Sequence, residues 1–398
     1  MPSQRPAQSS PEAPTVLVAG LSARALAAAA RRAGFRALAV DLFGDQDTRA
    51  LAWRSRRVAG SIGTGFDGAA LIESLDRLSA EAGDTPLGLV AGAGLEARPE
   101  LLARLDARYG LVGNGADQVR RVKDPASFFS LLARLSIPHP ETRFNPPPTR
   151  RGWLTKRIGA SGGGHVKALG DRANGAEHYF QRRVRGRPIS ACFLADGQRT
   201  RLLGFSKQWA APAGPRAPFR FGGLAQPAEL PDGQASEMAE VVARLVPEIG
   251  LRGLNSADFL VRARSFDLLE INPRPGASLD IFDRVLEAPL FRLHCEASAG
   301  TLPDGWPTAS EAMASAVVYA NRRLVVPAEH RWPAWTADRP PRGQLVERGD
   351  PLCSVLAKGR SAAEAGALVN ARARKILHAM KPPPRQRQPV AGREVVAR

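Results

Sequence analysis

Lysine is scarce in this sequence of 398 residues, although the chain as a whole is strongly basic. Only seven of its 56 basic residues are lysine, so the formal net charge of +18 is carried almost entirely by arginine. Such a charge is typical of proteins that bind nucleic acids or anionic membrane surfaces. Because arginine and alanine are enriched along the whole chain, a compositional bias explains the charge better. A generally basic enzyme is therefore favoured over a nucleic-acid-binding protein.

Three further scarcities exclude other classes of protein. The three cysteines, Cys192, Cys295 and Cys353, lie far apart, which argues against a disulfide framework or a zinc site and predicts a reducing, cytoplasmic location. Aromatic residues make up only 6% of the chain, too few to stack the bases of a single nucleic-acid strand. No apolar run reaches the length of about 18 residues that a transmembrane helix needs. The polar, Pro- and Ser-rich start of the chain does not resemble a secretory signal.

Length and changes in composition predict two or three folded domains between two tails. Residues 1–14 and 381–398 are expected to be disordered, and the second of these tails is basic and proline-rich. The chain between them divides into an N-terminal βαβ domain at residues 15–113, a central domain at 114–305 and a small mixed C-terminal domain at 306–380.

The N-terminal domain shows the alternation typical of a parallel sheet. Apolar strands at residues 15–19 and 37–40 flank an alanine-rich helix at 23–33, for which Ser22 is the predicted N-cap. The turn after the first strand lacks the G-x-G-x-x-G spacing, so a dinucleotide site is not expected. A later strand leads into a loop that contains Glu96, and loops at this end of a parallel sheet form the ligand crevice.

An acidic loop follows the second strand and carries Asp41, Asp45 and Asp47. Loops in this position lie beside the ligand crevice of a parallel sheet. Two interpretations stay open at this point: a solvated turn, or one wall of a substrate cleft.

A glycine-rich loop follows a predicted strand that carries Lys156. Its four glycines, Gly159, Gly162, Gly163 and Gly164, stand within six positions. Glycines let the backbone approach an anion closely, and a lysine ahead of them is a point charge suited to a phosphate. The order differs from that of a Walker A loop, in which the lysine follows the glycines. A flexible hairpin that binds nothing is an equal alternative.

Two apolar runs between residues 255 and 272 flank a polar turn and predict an antiparallel hairpin. Side chains alternate along a strand, so Glu270 and Asn272 share one face, and Asp258 on the paired strand can face the same way. Their oxygens are the donors that bind Mg²⁺ together with nucleotide phosphates. Arg274, just after the proline that ends the strand, can reach the same site. A solvent-facing hairpin is the alternative, weakened because an ionised Glu270 in an apolar run needs a partner.

Weaker candidates accompany these motifs. His165 adjoins the glycine loop, and a lid residue without a catalytic role is the favoured interpretation. Lys207 is included because lysine is so scarce in the chain. A segment before a Gly-Arg-Pro turn could offer backbone groups to an adenine ring, with a basic strand edge as the default alternative. That segment comprises Gln181, Arg182, Arg183 and Val184.

The order of these residues resembles the ATP-grasp superfamily, in particular its carbon–nitrogen ligase and biotin-carboxylase-like members. The resemblance spans roughly residues 15–380. It implies that Lys123, on a predicted helix at 116–135, and Lys156 contact the phosphates of ATP, that the glycine loop is a lid over them, and that segment 181–184 holds adenine. The implied Mg²⁺ ligands, with Mn²⁺ as an alternative metal, are Asp258, Glu270 and Asn272. Arg274 matches the arginine that meets the substrate or the transferring phosphate.

The resemblance further implies an α/β and α+β ATP-grasp fold, with an N-terminal parallel βαβ domain, a central nucleotide-binding domain and a small C-terminal mixed domain. The implied activity joins a small-molecule carboxylate to an amine, and a homodimer is an open option. The sequence at 269–278 looks most like a group of carboligases, some tied to tetrahydromethanopterin-dependent one-carbon metabolism.

The chain also departs from the family. The segment at 181–183 lacks the acidic residue that the adenine-binding hinge often carries. Residues typical of true biotin carboxylases are absent after Asn272-Pro273-Arg274, which argues against bicarbonate chemistry. Two alternatives from other classes remain: an ATP-grasp scaffold without turnover, and a nucleic-acid-binding protein that uses its basic surface.

Overall fold

The computed structural model describes residues 13–170, 177–211, 217–231, 233–305 and 308–380. Almost all of the predicted N-terminal tail and the whole predicted basic tail lie outside these residues. Within the described part of the chain, no helix combines the length and apolar character needed to cross a bilayer.

The N-terminal unit is built on a four-stranded parallel sheet, as the βαβ pattern predicts. The strands run in the order β3-β2-β1-β6, and each neighbouring pair is parallel. The residues of β1 and β2 are buried almost without interruption, as expected where helices cover both faces of a parallel sheet. The elements are β1 (Thr15–Ala19), α1 (Arg24–Arg32), β2 (Arg36–Asp41), α2 (Gln46–Leu51), β3 (Arg54–Arg57), β4 (Gly60–Ser61), β5 (Gly65–Phe66), α3 (Gly68–Ala80), β6 (Leu89–Ala91) and α4 (Pro99–Tyr109).

The start of helix α1 differs from the sequence prediction. Its N-cap is Ala23, and Ser22 is not the capping residue. The hydroxyl of Ser22 donates instead to Asp338 Oδ1 at 2.9 Å, and the N–H of Ala23 donates to Asp41 Oδ2 at 3.3 Å. A carboxylate from the neighbouring strand therefore binds the backbone at the start of the helix, where no side chain caps it.

The acidic loop is neither a solvated turn nor a cleft wall. Asp41 is buried and accepts hydrogen bonds from the Gly44 N–H at 2.7 Å and the Thr48 hydroxyl at 3.3 Å. Asp47 accepts the backbone N–H groups of Asp338 and Arg339, each at 2.9 Å. The loop thus anchors the C-terminal part of the chain, a contact that only the tertiary structure creates.

Asp45 in this loop makes stability depend on pH. It is only 3% exposed, and burial, followed by the charges of Asp338, Asp41 and Asp47, raises its pKa to about 8. The pKa of Asp45 is higher in the folded protein than the value of about 3.9 expected when it is unfolded. As pH rises between these two values, the unfolded state releases the proton first, and the folded protein becomes less stable. We therefore expect Asp45→Asn to be increasingly more stable than the wild type from pH 5 to pH 8, by up to about 1.4 kcal/mol per pH unit.

Urea midpoints at pH 5 and pH 8.5 measure this effect. The exposed Asp117, whose side chain is 83% accessible, supplies the control Asp117→Asn. A gap between Asp45→Asn and the wild type that stays constant with pH would contradict the raised pKa of Asp45.

The central part of the chain contains two sheets and the helices that pack on them. A small antiparallel sheet has the strand order β7-β10-β8-β9, and an eight-stranded sheet has the order β15-β14-β11-β12-β13-β16-β20-β18. The central elements are α5 (Ala116–Lys123), α6 (Pro125–Arg134), β7 (Thr142–Arg143), β8 (Trp153–Arg157), β9 (Lys167–Ala168), β10 (His178–Arg182), β11 (Arg187–Asp196), β12 (Thr200–Ala210), β13 (Phe221–Gln226), α7 (Gln234–Ile249), β14 (Arg252–Val261), β15 (Phe266–Asn272), α8 (Ala277–Val285) and α9 (Leu290–Ser298).

The single helix predicted at residues 116–135 is two helices. Asp124 is extended, with φ −78° and ψ 111°, and its side chain caps α6 by accepting the N–H of Ser127 at 3.0 Å. Pro125 occupies the first turn of α6, where its missing N–H costs nothing. The break places Lys123 at the C-terminal end of α5.

The C-terminal part of the chain continues the large sheet. Strand β16 pairs antiparallel with β13, and β20 pairs with β16, while the final helix packs on both β16 and β20. The elements are β16 (Ala312–Tyr319), β17 (Leu324–Val325), β18 (Thr336–Ala337), β19 (Leu345–Val346), β20 (Pro351–Gly359) and α10 (Ala362–Ala379). The units predicted at 114–305 and 306–380 therefore share one sheet.

A buried arginine joins all three parts of the molecule. Arg24, on α1, is 4% exposed and donates from both terminal nitrogens to Asp280 on α8, at 2.5 and 2.8 Å. The same guanidinium donates to Asp338 in the C-terminal part, at 3.1 and 3.0 Å. A hydrophobic core that includes Val18, Leu279 and Leu356 surrounds the same junction.

Candidate active site

A cavity of about 1330 Å³ is lined by both central sheets and by the N-terminal unit. Its wall includes Lys123, Lys156, the glycine loop, the segment at 181–186 and the hairpin of β14 and β15. This volume exceeds the 300–1,000 Å³ typical of a site for one small molecule. The cavity can therefore hold a nucleotide and a second ligand side by side.

The hairpin predicted from the apolar runs is confirmed. Strands β14 and β15 pair antiparallel, with Asp258 opposite Glu270 and Ser256 opposite Asn272. The amide of Asn272 donates to Asp258 Oδ2 at 3.1 Å. The three oxygen-bearing side chains therefore lie together on one face.

Lys123 joins this cluster from α5. Its Nζ donates to Asn272 Oδ1 at 3.0 Å and to Glu270 Oε2 at 3.3 Å, and its side chain is only 7% exposed. Lys156 lies on β8, with its Nζ 6.0 Å from the centroid of the Tyr179 ring. Two lysines far apart in sequence thus face one pair of carboxylates.

The charges of this cluster shift one another's pKa values. Burial lowers the pKa of Lys156, as does the charge of Lys123, while Glu270 and Asp258 oppose the change. Burial alone would raise the pKa of Glu270, but Lys123 and Lys156 outweigh it and hold that pKa well below its usual range. Burial and the neighbouring Glu270 raise the pKa of Asp258. Such opposed shifts are common where a site is arranged for a charged ligand.

Two polar side chains that the sequence analysis missed hold Asp258 in place. Its Oδ1 accepts a hydrogen bond from the Ser190 hydroxyl at 2.6 Å and another from Gln208 Nε2 at 3.2 Å. Ser190 is paired with Asp258 across β11 and β14, a register that no short motif encodes.

Lys207 is not brought to the cavity. Its side chain is exposed on β12, while the next residue, Gln208, lies in the wall and contacts Asp258. Successive side chains point to opposite faces of a strand, so the two residues cannot both face the site. Gln208 replaces Lys207 among the candidate site residues.

The glycine loop is held between two other parts of the chain. The carbonyl of Gly162 accepts the N–H of Phe221 at 2.9 Å. Gly163 has φ +70°, and a Cβ there would lie 2.0 Å from the carbonyl oxygen of Phe219. At Gly159, also with positive φ, a Cβ would lie 2.6 Å from the Cα of Ala97. Only glycine fits these positions, whereas a Cβ at Gly164 would meet no heavy atom within 4 Å.

The segment predicted to hold adenine lies at the cavity, where it spans the end of β10 and the start of the link to β11. Gln181 is buried, and its Nε2 donates to Thr142 Oγ1 at 3.2 Å. The guanidinium of Arg182 lies over the ring of Trp153, 5.7 Å from its centroid. The N–H groups of Arg182 and Arg183 donate to carbonyls of Glu141 and Gly152. Arg182, Arg183 and Val184 also line the cavity, so the segment presents both charged and apolar side chains to it.

Arg274 is positioned by a residue of the N-terminal unit. Its Nε donates to Glu96 Oε1 at 2.7 Å, and Glu96 is buried in the loop after β6. The other oxygen of Glu96 accepts the N–H groups of Gly94 and Leu95, at 2.6 and 3.1 Å. A Cβ at Gly276 would lie 2.5 Å from Nη1 of Arg274, so the glycine makes room for the guanidinium. The loop after a parallel strand, identified in the sequence as a crevice element, supplies this support.

The donor set suits a hard divalent cation that also binds phosphate. The atoms with which Asp258, Glu270 and Asn272 could ligate a metal are oxygens, and the three side chains lie on one face of the hairpin. In the part of the chain that the structure describes, no group of three His, Cys, Asp or Glu side chains could hold a metal by itself. Mg²⁺ is commonly bound by one or two carboxylates together with substrate phosphates, so these residues fit Mg²⁺ carried in with a nucleotide.

Comparison with known proteins accounts for this arrangement. The family model for the ATP-grasp domain matches residues 122–278, which contain both lysines, the glycine loop and the hairpin. Residues 122–278 are therefore similar to an ATP-grasp domain. The expected ATP-grasp fold is thereby confirmed, with its parallel N-terminal sheet and its large antiparallel sheet.

Solved structures resemble nearly the whole chain in fold. The biotin carboxylase domain of Hydrogenobacter thermophilus 2-oxoglutarate carboxylase, solved with MgADP and bicarbonate, has a TM-score of 0.69 at 12% identity and covers 90% of this chain and 88% of its own. The L-amino acid ligase of Bacillus licheniformis has a TM-score of 0.67 at 12% identity and covers 92% of this chain and 97% of its own. At such identities the likeness concerns the fold.

A curated protein matches part of this chain in sequence. The carbamoyl phosphate synthase large chain of Thermus thermophilus is 23% identical over 239 residues, which make up 53% of this chain. The match spans 23% of the length of that relative.

Proposed function

We propose that this protein is an ATP-dependent ligase that joins a small-molecule carboxylate to an amine. The observation that carries the proposal is the placement of Lys123 and Lys156 against Asp258, Glu270 and Asn272 in one cavity. Arg274 lines the same cavity and is the group suited to a carboxylate substrate. The solved proteins that resemble this fold include the biotin carboxylase domain of a carboxylase and an amino acid ligase.

In the proposed first step, a carboxylate oxygen attacks the γ-phosphorus of ATP, and the bond to the β,γ-bridging oxygen breaks. The products are an acyl phosphate and ADP. Lys156 is placed to offset the negative charge of the transferred group, and Arg274 to orient the carboxylate. Mg²⁺, held by Asp258, Glu270 and Asn272, would supply further charge neutralisation at the phosphates.

In the second step, the amine attacks the acyl carbon, phosphate leaves, and the amine loses a proton to form the amide. The acyl phosphate is readily hydrolysed, so the site must exclude water between the steps. The glycine loop packs against Ala97 and Phe219 at the cavity, and it is the element placed to exclude water.

The narrower assignments rest on the sequence alone. The likeness of residues 269–278 to carboligases of tetrahydromethanopterin-linked metabolism suggests that pathway. The same resemblance also suggests Mn²⁺ as an alternative metal and a homodimer as the assembly.

ADP release tests the proposed activity. Purified protein with MgATP and panels of carboxylates and amines should release ADP only when one of each is present, and hydroxylamine should trap the acyl phosphate as a hydroxamate. Lys156→Met should abolish both signals, while Lys358→Met, which removes an exposed lysine on β20, should not. Nucleotide binding without ADP release for any pair would indicate a scaffold instead. Salt-dependent binding of DNA or RNA without nucleotide binding would favour the nucleic-acid alternative.

A further inference from the structure

His165 is a polar group of the lid that the mechanism above does not use. It follows the glycine loop directly and lines the cavity. Its Nδ1 is buried and, within the described residues, makes no hydrogen bond of ordinary geometry, although the nearby backbone of Ser161 acts on the ring in the direction that raises its pKa. Buried polar atoms in proteins are almost always paired, so an orphaned ring nitrogen in a cavity wall indicates a partner that the protein itself does not supply.

The charges around the ring indicate which end of the cavity it faces. The groups whose charges act on His165 are Glu270, Lys156 and Lys123, the same residues that face the proposed phosphates. Burial, with help from the two lysines, lowers the pKa of His165 to about 4, against the opposing charge of Glu270. The ring is therefore neutral at physiological pH and offers one N–H without adding a third positive charge.

We propose that Nδ1 of His165 donates a hydrogen bond to the terminal phosphate of bound ATP and so couples lid closure to the presence of that phosphate. This inference rests on the proposed function. A neutral donor beside two lysines can recognise the γ-phosphate while still releasing ADP, because the contact disappears with the transferred group. The role is one of substrate binding, since the ring contacts the phosphate directly while the lid is closed.

Isosteric variants separate this role from a purely structural one. The amide nitrogen of asparagine occupies the position of Nδ1, whereas that of glutamine reaches the position of Nε2. The variants are His165→Asn, His165→Gln and His165→Ala, with His378→Ala as the control for loss of an exposed histidine on α10. Calorimetric titration with Mg²⁺ and either ADP or a non-hydrolysable ATP analogue gives the two dissociation constants for each protein.

We expect His165→Ala and His165→Gln to bind the ATP analogue about tenfold more weakly than the wild type, the size of one lost hydrogen bond to a charged group. Their affinity for ADP should change by less than about threefold, and His165→Asn should keep wild-type affinity for both nucleotides. Thermal unfolding of each variant without nucleotide checks that the fold is kept.

Three outcomes would overturn the inference while leaving ATP binding intact. They are equal affinity of all variants for the analogue, an equal loss for ADP and the analogue, and rescue by glutamine rather than asparagine. If the wild type binds neither nucleotide, the proposed function fails and this inference fails with it.

Discussion

Glu270→Gln is expected to lower ATP-dependent ADP release by about 10²–10³-fold. Glu270 accepts a hydrogen bond from Lys123 at 3.3 Å, and its charge also acts on the buried Lys156. Glutamine keeps the size of the side chain but removes the charge that faces both lysines. The two cations would then lie near each other with less counter-charge, and the oxygen set for Mg²⁺ would lose one of its two carboxylates.

Two measurements check this expectation without depending on each other. One is ADP release with the substrate pair found by the screen, and the other is the Mg²⁺-dependent rise in Tm that ATP should cause. Glu311→Gln is the matched control, because Glu311 pairs with Lys358 at the surface, where ion pairs contribute little. If Glu270→Gln kept wild-type ADP release and a wild-type thermal shift, the charge of Glu270 would not be needed for binding of metal or nucleotide, and the assignment would be wrong.

Arg24→Met is expected to destabilise the fold by about 3–5 kcal/mol, the cost of removing one partner from a buried ion pair. The guanidinium makes two hydrogen bonds with Asp280 and two with Asp338. Burial would raise the pKa of Asp280, but Arg24 outweighs it and lowers that pKa to about 2. Methionine fills a similar volume but leaves the buried Asp280 and the partly buried Asp338 without the cation that they share.

The shift of the urea midpoint measures the loss, and Arg284→Met is the matched control. Arg284 also binds Asp280, at 3.2 Å, but its side chain is 41% exposed, so its removal should cost no more than about 1 kcal/mol. The pH dependence gives a second check. In the wild type, the contribution of Asp280 is present above pH 4 and lost as pH falls toward 2. In Arg24→Met, Asp280 can accept a proton in the folded state, so the deficit should shrink between pH 7 and pH 4. Equal losses in the two arginine variants would contradict the proposed role of Arg24.

The parts of the site that were predictable from the sequence are those encoded by local patterns. Two apolar runs around a polar turn predicted the β14–β15 hairpin, and the alternation of side chains along a strand placed Glu270 and Asn272 on one face. The strand–helix–strand pattern at residues 15–40 predicted the parallel sheet, which the structure confirms. The glycine cluster predicted a backbone able to approach an anion closely, and the structure gives Gly159, Gly162 and Gly163 positive φ.

The predictions that failed concern contacts between distant segments. Ser22 has the chemistry of an N-cap, but Asp338, 316 positions away, accepts its hydroxyl. The acidic loop at residues 41–47 is polar in sequence, yet it is buried because the C-terminal part of the chain packs on it. Lys207 and Gln208 are neighbours on one strand, and only the pairing of β12 within the sheet decides which of them faces the cavity.

The sequence by itself determined the order of the motifs, the strands and helices that carry them, and the chemistry that each residue type offers. Those properties depend on neighbours within a few residues, where backbone geometry is regular. The tertiary structure alone decided that Lys123 reaches Glu270, that Glu96 supports Arg274 and that, among the described residues, Nδ1 of His165 makes no hydrogen bond of ordinary geometry. These contacts depend on how β-sheets and helices pack across more than a hundred residues. The scarce lysines, prominent from the start, acquire their meaning there, because two of the seven face one pair of carboxylates.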